Sequence, residues 1–516
     1  MINFENKLAV IDIGSNSIRL VVYGPNFTGR VCELANIKVV ARLRNYLNEV
    51  GYFSIEGMTV LLETLLGFQE ILKFQQVNRV KCIATATIRQ AVNKIEIVDL
   101  VKKKTGFSIS VLTEEEEAFY GYYAVIHTTH FEEGITIDIG GGSTEVTYFK
   151  RRILVHSHSF PFGVVCLKDK FMKGEKMTVE EEGQMTNYLI EAFNSLSWLK
   201  NLQVPIIAIG GSARNIAQID QNLRNYPIAG THQYSMKPED LTKMKEMILP
   251  MSVGELEKLE GLSMDRADII LPALATFILL CQYTNTERFV FSSKGLRDGI
   301  YYKETLPKER IGGAKHIIEE NLSNLESRFD KNPIHASQTS RLAIMLTEQL
   351  IKVNILRTDE LNIQEIRWAA KIYYLGQFID SDASSQHTFY LIANSSLNGL
   401  DHRMRIRLAL IASFKNNSLF KQFLVPFSEW FSKDELGSLR IAGAIVKLAA
   451  ALDASKRGIV KNLNILESNN GLMIKIFCSN NAFVEKYHGK KEIRHLEKAL
   501  RKPVKLQFER IRNKNI

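Results

Sequence analysis

The sequence predicts an α/β chain built on a domain duplication, continued by an all-helical stretch and closed by a small α+β module. Three observations carry this reading. One short phrase occurs twice, 126 residues apart. Strand and helix patterns alternate up to about residue 305, and helical patterns alone then run to about 455. Beyond that point strand signals return. The offset is long enough for a whole α/β lobe, so the repeat is a duplicated domain and not a solenoid unit.

The fuller copy of the phrase is Gly134-Ile-Thr-Ile-Asp-Ile-Gly-Gly-Gly-Ser-Thr-Glu-Val-Thr-Tyr148. An apolar strand runs into Gly140, Gly141, Gly142 and Ser143, and a second strand leaves with Glu145. Glycine brings backbone N–H groups close to a ligand where a Cβ would collide. Successive N–H groups in such a turn form a concave anion site, to which a serine hydroxyl adds a donor. Asp138 and Glu145 flank the cradle, and carboxylates beside anion donors suit a phosphate chain bridged by a divalent cation. The earlier copy reads Ala9-Val-Ile-Asp-Ile-Gly-Ser-Asn-Ser-Ile-Arg-Leu-Val-Val22. In one gapless register Asp12 matches Asp138, Gly14 matches Gly140, Ser17 matches Ser143, and Arg19 falls opposite Glu145. Two plain Gly-turn hairpins would need neither the shared Asp nor the shared Ser.

In the first lobe, strands are expected at about 7–13 and 17–24, then a helix at about 54–75. Met58, Leu61, Leu62, Leu65, Phe68 and Leu72 fall on one face of that helix. A strand near 79–84 leads to Thr85-Ala-Thr-Ile-Arg89 and a helix from about Gln90. That places Arg89 where a strand gives way to a helix and a guanidinium can reach a ligand at the sheet edge. A strand at about 107–112 precedes Thr113-Glu-Glu-Glu-Glu-Ala118. Thr113 suits an N-cap and the glutamates suit the positive end of a helix, which accounts for most of this acidic run.

The second lobe repeats the plan with an acidic helix near 178–198 and a strand at Val204–Ile209. That strand ends in Gly210-Gly211-Ser212, again suited to an anion at a helix start. An apolar helix around 265–282, a strand near 287–291 and Ser293-Lys-Gly-Leu-Arg-Asp-Gly299 close the lobe. After about 456 come Leu472–Phe477, a charged helix near 480–500 and Val504–Phe508, a strand–helix–strand module.

Composition places the chain among ordinary globular proteins, with 45% apolar and 24% charged residues. The longest apolar run, Ile269–Cys281, is too short for a membrane span. The first residues show no secretory signal pattern. Cys32, Cys82, Cys166, Cys281 and Cys478 form no Cys-x-x-Cys pair, so reduced thiols in a cytoplasm are expected. The formal net charge of +10 is unevenly placed: residues 456–516 hold 15 Lys/Arg and 5 Asp/Glu, and the rest sums to zero. A basic end on a neutral body points to a polyanion. No nucleic-acid motif accompanies it, and polyphosphate has the same electrostatics.

With these residues in view, the chain resembles the exopolyphosphatase / guanosine pentaphosphate phosphohydrolase family. The motifs are Asp12-Ile-Gly-Ser-Asn-Ser17, Ala84-Thr-Ala-Thr-Ile-Arg89, Glu115-Glu-Glu-Ala118, Asp138-Ile-Gly-Gly-Gly-Ser-Thr-Glu145 and Gly295-Leu-Arg-Asp-Gly299. The resemblance implies two ribonuclease-H-like lobes of the acetate and sugar kinase/heat-shock/actin superfamily, at 1–125 and 126–304. It also implies an all-helical HD-like domain at 305–455 and a small C-terminal module at 456–516. By position, Glu117 matches the family's general base and Arg89 an arginine near the phosphates. Asp138 and Glu145 match residues associated with Mg²⁺ or another divalent cation. Ser15, Asn16, Ser17, Gly140, Gly141, Gly142, Ser143, Gly210, Gly211 and Ser212 match phosphate-binding loops. A homodimer is implied as well.

Two departures from the family pattern stand out. Tyr373 and Tyr374 replace the central ligands of an HD-type metal site, so His335, His387 and Asp453 lack the core of a metal centre, and the domain is expected to serve as scaffold, substrate channel or dimer surface. Pro272 stands where relatives often carry glycine, and only local repacking is expected from it. The implied activity is release of orthophosphate from linear polyphosphate, with guanosine pentaphosphate, giving the tetraphosphate, as the alternative substrate. A non-catalytic sensor and a phosphotransferase to ADP are the remaining readings. The joint presence of Glu117, Asp138 and Glu145 argues against the sensor.

Overall fold

The structure, a computed structural model, describes residues 7–26, 31–174, 176–306, 313–329, 333–357, 361–373, 375–468 and 471–511. The chain forms two compact units. One runs to Tyr226 and resumes over Thr231–Ile317; the other holds Pro227–Gly230 and the residues from Ile318 on.

The first unit contains two sheets of the same plan. Strands β1 (Leu8–Ile13), β2 (Ser17–Pro25), β3 (Val31–Val40), β4 (Arg79–Ala84) and β5 (Ile109–Val111) lie in the order β3-β2-β1-β4-β5. The first three form an antiparallel meander, and β4 and β5 join in parallel. In lobe II, β6 (Glu133–Ile139), β7 (Thr144–Lys150), β8 (Ile153–Phe160), β9 (Ile206–Ile209), β10 (Tyr234–Met236) and β11 (Phe289–Phe291) follow the order β8-β7-β6-β9-β11-β10. This is the lobe I order with one antiparallel edge strand added. The duplicated ribonuclease-H-like topology is the expected fold class. The central strand β1, Leu-Ala-Val-Ile-Asp-Ile, is apolar almost throughout because both faces of the sheet are covered. The half-exposed edge strand β3 lacks such a run and gives no comparable sequence signal.

The helix Ile55–Phe74 forms as its periodicity predicts. Ser54 caps it through Gly57 N at 3.2 Å, and Met58, Leu61, Leu65, Phe68 and Leu72 are buried. The helix expected from about Gln90 differs: a short helix, Ala86–Gln90, follows β4 directly, and a second begins at Lys94. Distant partners cause the break. Val92 N donates to Gly51 O, and the Asn93 amide pairs with both backbone groups of Phe53 at 3.0 and 3.1 Å. The apolar helix of lobe II likewise starts later than expected, at Ile270, after a 3₁₀ turn at Met264–Arg266.

Each lobe ends in a helix that packs on the other lobe. In the helix Glu114–Thr128, Tyr122, Val125 and Ile126 pack with Phe149, Ile207 and Ile209 of the lobe II sheet. In the helix Leu296–Thr305, Ile300 packs with Val10, Val21 and Tyr23 of the lobe I sheet, and Tyr301 stacks on Tyr23 at 4.4 Å. The two helices cross at Gly299, where a Cβ would lie 1.9 Å from Tyr120 O.

The second unit is helical from Ile318 to Ala451, apart from turns and 3₁₀ segments, among the described residues. His335 and Asp453 are both 1% exposed and meet at 2.7 Å, and Asp453 also accepts from Gly458 N at 2.9 Å. Tyr373 OH donates to Phe414 O at 3.2 Å; Tyr374 lies outside the described residues. His387 is half-buried on the helix Ser384–Asn394. The C-terminal module gains a strand over the expected strand–helix–strand. Strands β12 (Val460–Ser468), β13 (Gly471–Cys478) and β14 (Val504–Arg510) form one sheet in that order. The helix Phe483–Leu500 buries Gly489, Ile493 and Leu496 and exposes Lys486, Lys490, Lys491, Arg494 and Lys498. The five cysteines form no disulfide. Among the described residues, no helix is long and apolar enough to cross a membrane.

Candidate active site

The two glycine hairpins are twins in three dimensions. Gly14 N bonds Ser17 O at 3.1 Å, and Gly140 N bonds Ser143 O at 2.9 Å. Strand pairing sets Asp12 opposite Arg19 and Asp138 opposite Glu145, so residues that match between the two copies hold matching places in their hairpins. The hairpins also face one another. A Cβ on Gly141 would touch Ser15 at 3.6 Å, and one on Gly142 would touch Ala86 at 3.8 Å. Thr87 donates to the Ser15 hydroxyl at 2.8 Å.

The acidic run Glu114–Glu117 divides by role. Thr113 and Glu116 form a reciprocal capping box that satisfies the helix start. Glu117, one position on, turns inward. It accepts from Arg89 Nη1 at 2.9 Å, and the same nitrogen donates to Leu112 O at 3.0 Å. Glu114 stays 3.8 Å from Arg89 Nη2.

Burial pushes the Glu117 carboxyl up to about 7; Arg89 pulls it down, and Asp138 and Asp12 push it further up. Asp138 is raised to about 6 by burial, against the pull of Arg297. Glu145, 4% exposed, is raised well above the carboxylate range by burial and then by Glu117. Ser159 donates to it at 3.1 Å and Ser143 also stabilises its charge.

The Gly210-Gly211-Ser212 turn serves side chains that reach the site. Gly210, at φ +90°, leaves room for Asp138, whose Oδ1 would lie 2.5 Å from a Cβ there. Gly211 leaves room for the Arg266 guanidinium, and Arg266 Nη1 donates to Ser212 Oγ at 3.1 Å. Asn16 extends across the lobes toward Asp265 at 3.5 Å, beside the Lys38–Asp265 pair at 3.2 Å.

Arginines that sequence reasoning gave no role complete the cleft. Arg297 Nη1 lies 2.6 Å from Asp12 Oδ2. Burial lowers Arg19 to about 10, and Arg297 and Arg214 add to that effect. Burial also lowers Arg214, helped by Arg297 and Arg266. The charges are therefore partly sorted: Glu145 and Glu117 oppose each other's charge while Arg89 holds Glu117, Arg19 and Arg214 have arginine neighbours, and Asp12 and Asp138 both feel Arg297. Divergence of the duplicated hairpins underlies the sorting, since lobe I carries Arg19 where lobe II carries Glu145. Arg19 was visible in the repeat register and Arg297 in the Gly295–Gly299 motif, whereas Arg266 had no signal.

Asp138 and Glu145 offer hard oxygen donors whose like charges crowd one another. That suits Mg²⁺, which takes one or two protein carboxylates and completes its shell with water and substrate oxygens. Among the described residues no group of three or more His, Cys, Asp or Glu is arranged around a metal position.

A duplicated α/β fold with carboxylates and arginines gathered at facing glycine turns defines a class of phosphoryl-processing enzymes. Residues 28–308 match the Ppx/GppA phosphatase family, and residues 317–493 match Ppx/GppA phosphatase domain III. The chain belongs to the Ppx/GppA phosphatase family. A solved family member from Aquifex aeolicus is 27% identical, with a TM-score of 0.53 over 59% of this chain and 99% of that one. An exopolyphosphatase from Cytophaga hutchinsonii shares the fold at 23% identity, with a TM-score of 0.54 over 60% of this chain and all of that one.

Proposed function

We propose that this phosphatase is an exopolyphosphatase that releases orthophosphate from the end of linear polyphosphate between lobes I and II. The observation that carries the proposal is the pair of facing glycine hairpins, with Glu145, Asp138 and the Arg89-held Glu117 gathered beside them together with Arg19 and Arg214. The terminal phosphate lies beside the carboxylates, and the phosphates that follow meet Arg19 and Arg214. Glycine-turn N–H groups and the hydroxyls of Ser15, Ser17 and Ser143 supply donors along the chain.

Glu117, held by Arg89, orients a water and takes its proton as the water oxygen bonds to the terminal phosphorus. The P–O bond to the next phosphate breaks, and its electron pair stays on the shortened chain. A divalent cation held by Asp138 and Glu145 would neutralise charge on the phosphoryl oxygens. Such transfer needs positioning and charge stabilisation more than covalent help.

Polyphosphate is favoured over guanosine pentaphosphate by the basic C-terminal module, since a nucleotide offers few charges for such a surface to meet. Homodimer formation and a cytoplasmic setting belong to the same proposal. The test is orthophosphate release from long-chain polyphosphate and from guanosine pentaphosphate, side by side with Mg²⁺. Faster turnover of polyphosphate is expected. A clear preference for the nucleotide overturns the substrate assignment, and release from neither overturns the hydrolase assignment.

A further inference from the structure

Arg297 opens the helix that crosses from lobe II to the lobe I sheet, and several contacts fix that helix start. Asp298 accepts from Lys294 Nζ at 3.1 Å, from Gly295 N at 3.2 Å and from Tyr23 OH at 3.4 Å. Gly299 then lets the helix lie against Tyr120, on the helix that carries Glu117. From this anchored turn Arg297 reaches Asp12 at 2.6 Å, with side chains 26% and 13% exposed.

Asp12 stands at the root of the lobe I turn as Asp138 does in lobe II. Its charge acts on both Asp138 and Glu117. Left alone, it would set a negative group beside the turn that must hold phosphate, in a site shielded from bulk water.

We propose that Arg297 is a positioning residue of the reaction. It neutralises and orients Asp12, so that the lobe I turn accepts phosphate while Asp138 and Glu145 stay available beside the lobe II turn. The proposal rests on the phosphate-chain reading of the cleft.

The test is a double-mutant cycle on the full chain, with Arg297→Gln, Asp12→Asn and the pair together. Wild-type turnover in the same assay reports on the phosphate-chain reading separately, and the variants are compared on whichever substrate the wild type hydrolyses. Arg297→Gln should lose about tenfold or more in kcat/KM, mainly through KM, because it strands a charge in the cleft. Adding Asp12→Asn should recover most of that loss, because the charge needing a partner is gone. If Arg297→Gln does not fold, Arg297→Lys takes its place in the cycle: a loss in kcat/KM that Asp12→Asn largely removes supports the proposal, and a loss that Asp12→Asn leaves in place overturns it. A double variant as impaired as Arg297→Gln, or Arg297→Gln at the wild-type level, also overturns it.

Discussion

Arg89 donates to Glu117 across 2.9 Å, and in doing so joins the short helix after β4 to the helix that crosses into lobe II. Glu117 is therefore held by one cation, Arg89, while burial and the carboxylates of Asp138 and Asp12 oppose its charge.

The first prediction concerns pH. Glu117 acts only when ionised, and its carboxyl sits at about 7. Activity should therefore fall as the pH drops through that value. Arg89 favours the ionised form, so its loss raises the carboxyl further. Arg89→Met should move the acid limb of the kcat/KM profile to higher pH, whereas Arg89→Lys should keep it near the wild-type position. An unmoved limb in Arg89→Met would separate Arg89 from the base.

A second prediction follows from the helix crossing. A Cβ at residue 299 would lie 1.9 Å from Tyr120 O, a backbone atom that cannot swing aside. Gly299→Ala should cost about 1–3 kcal/mol of stability, as overpacking does. It should also lower kcat, because the helix it displaces carries Glu117. Urea unfolding and steady-state kinetics on the same preparation check both effects.

Much of this was legible in the sequence, for identifiable reasons. The Asp12/Asp138 and Arg19/Glu145 equivalences could be read because the two copies align without a gap, and the matching hairpins keep them in equivalent places. Glu117 could be separated from its neighbours only by family position, since Glu114, Glu115 and Glu116 suit a helix start equally well. The break at Ala91–Asn93 was hidden because its causes, Gly51 and Phe53, lie some forty residues away in the chain. Strand β12 was missed because a bulge between Val460 and Asn462 breaks its alternation. Arg266 reaches the cleft from a three-residue turn that has no periodicity to read.

The third prediction addresses the basic module. Lys486, Lys490, Lys491 and Arg494 lie exposed on the helix Phe483–Leu500. Replacing all four by glutamine should leave the fold intact, since surface changes of this kind have small effects. The KM for long polyphosphate should rise while that for guanosine pentaphosphate stays put, and raising the salt should shrink the difference. An equal rise for both substrates would count against a polyanion surface.

The most direct test of the mechanism is Glu117→Gln, assayed for orthophosphate release and, separately, for polyphosphate binding. Glutamine keeps the size and can still meet the cleft, but it cannot take a proton from water. We expect kcat to fall by about 10²–10⁴, the range for losing a general base, with binding retained. Turnover close to wild type in Glu117→Gln would contradict the account, because the inward glutamate would then not be the group that activates water.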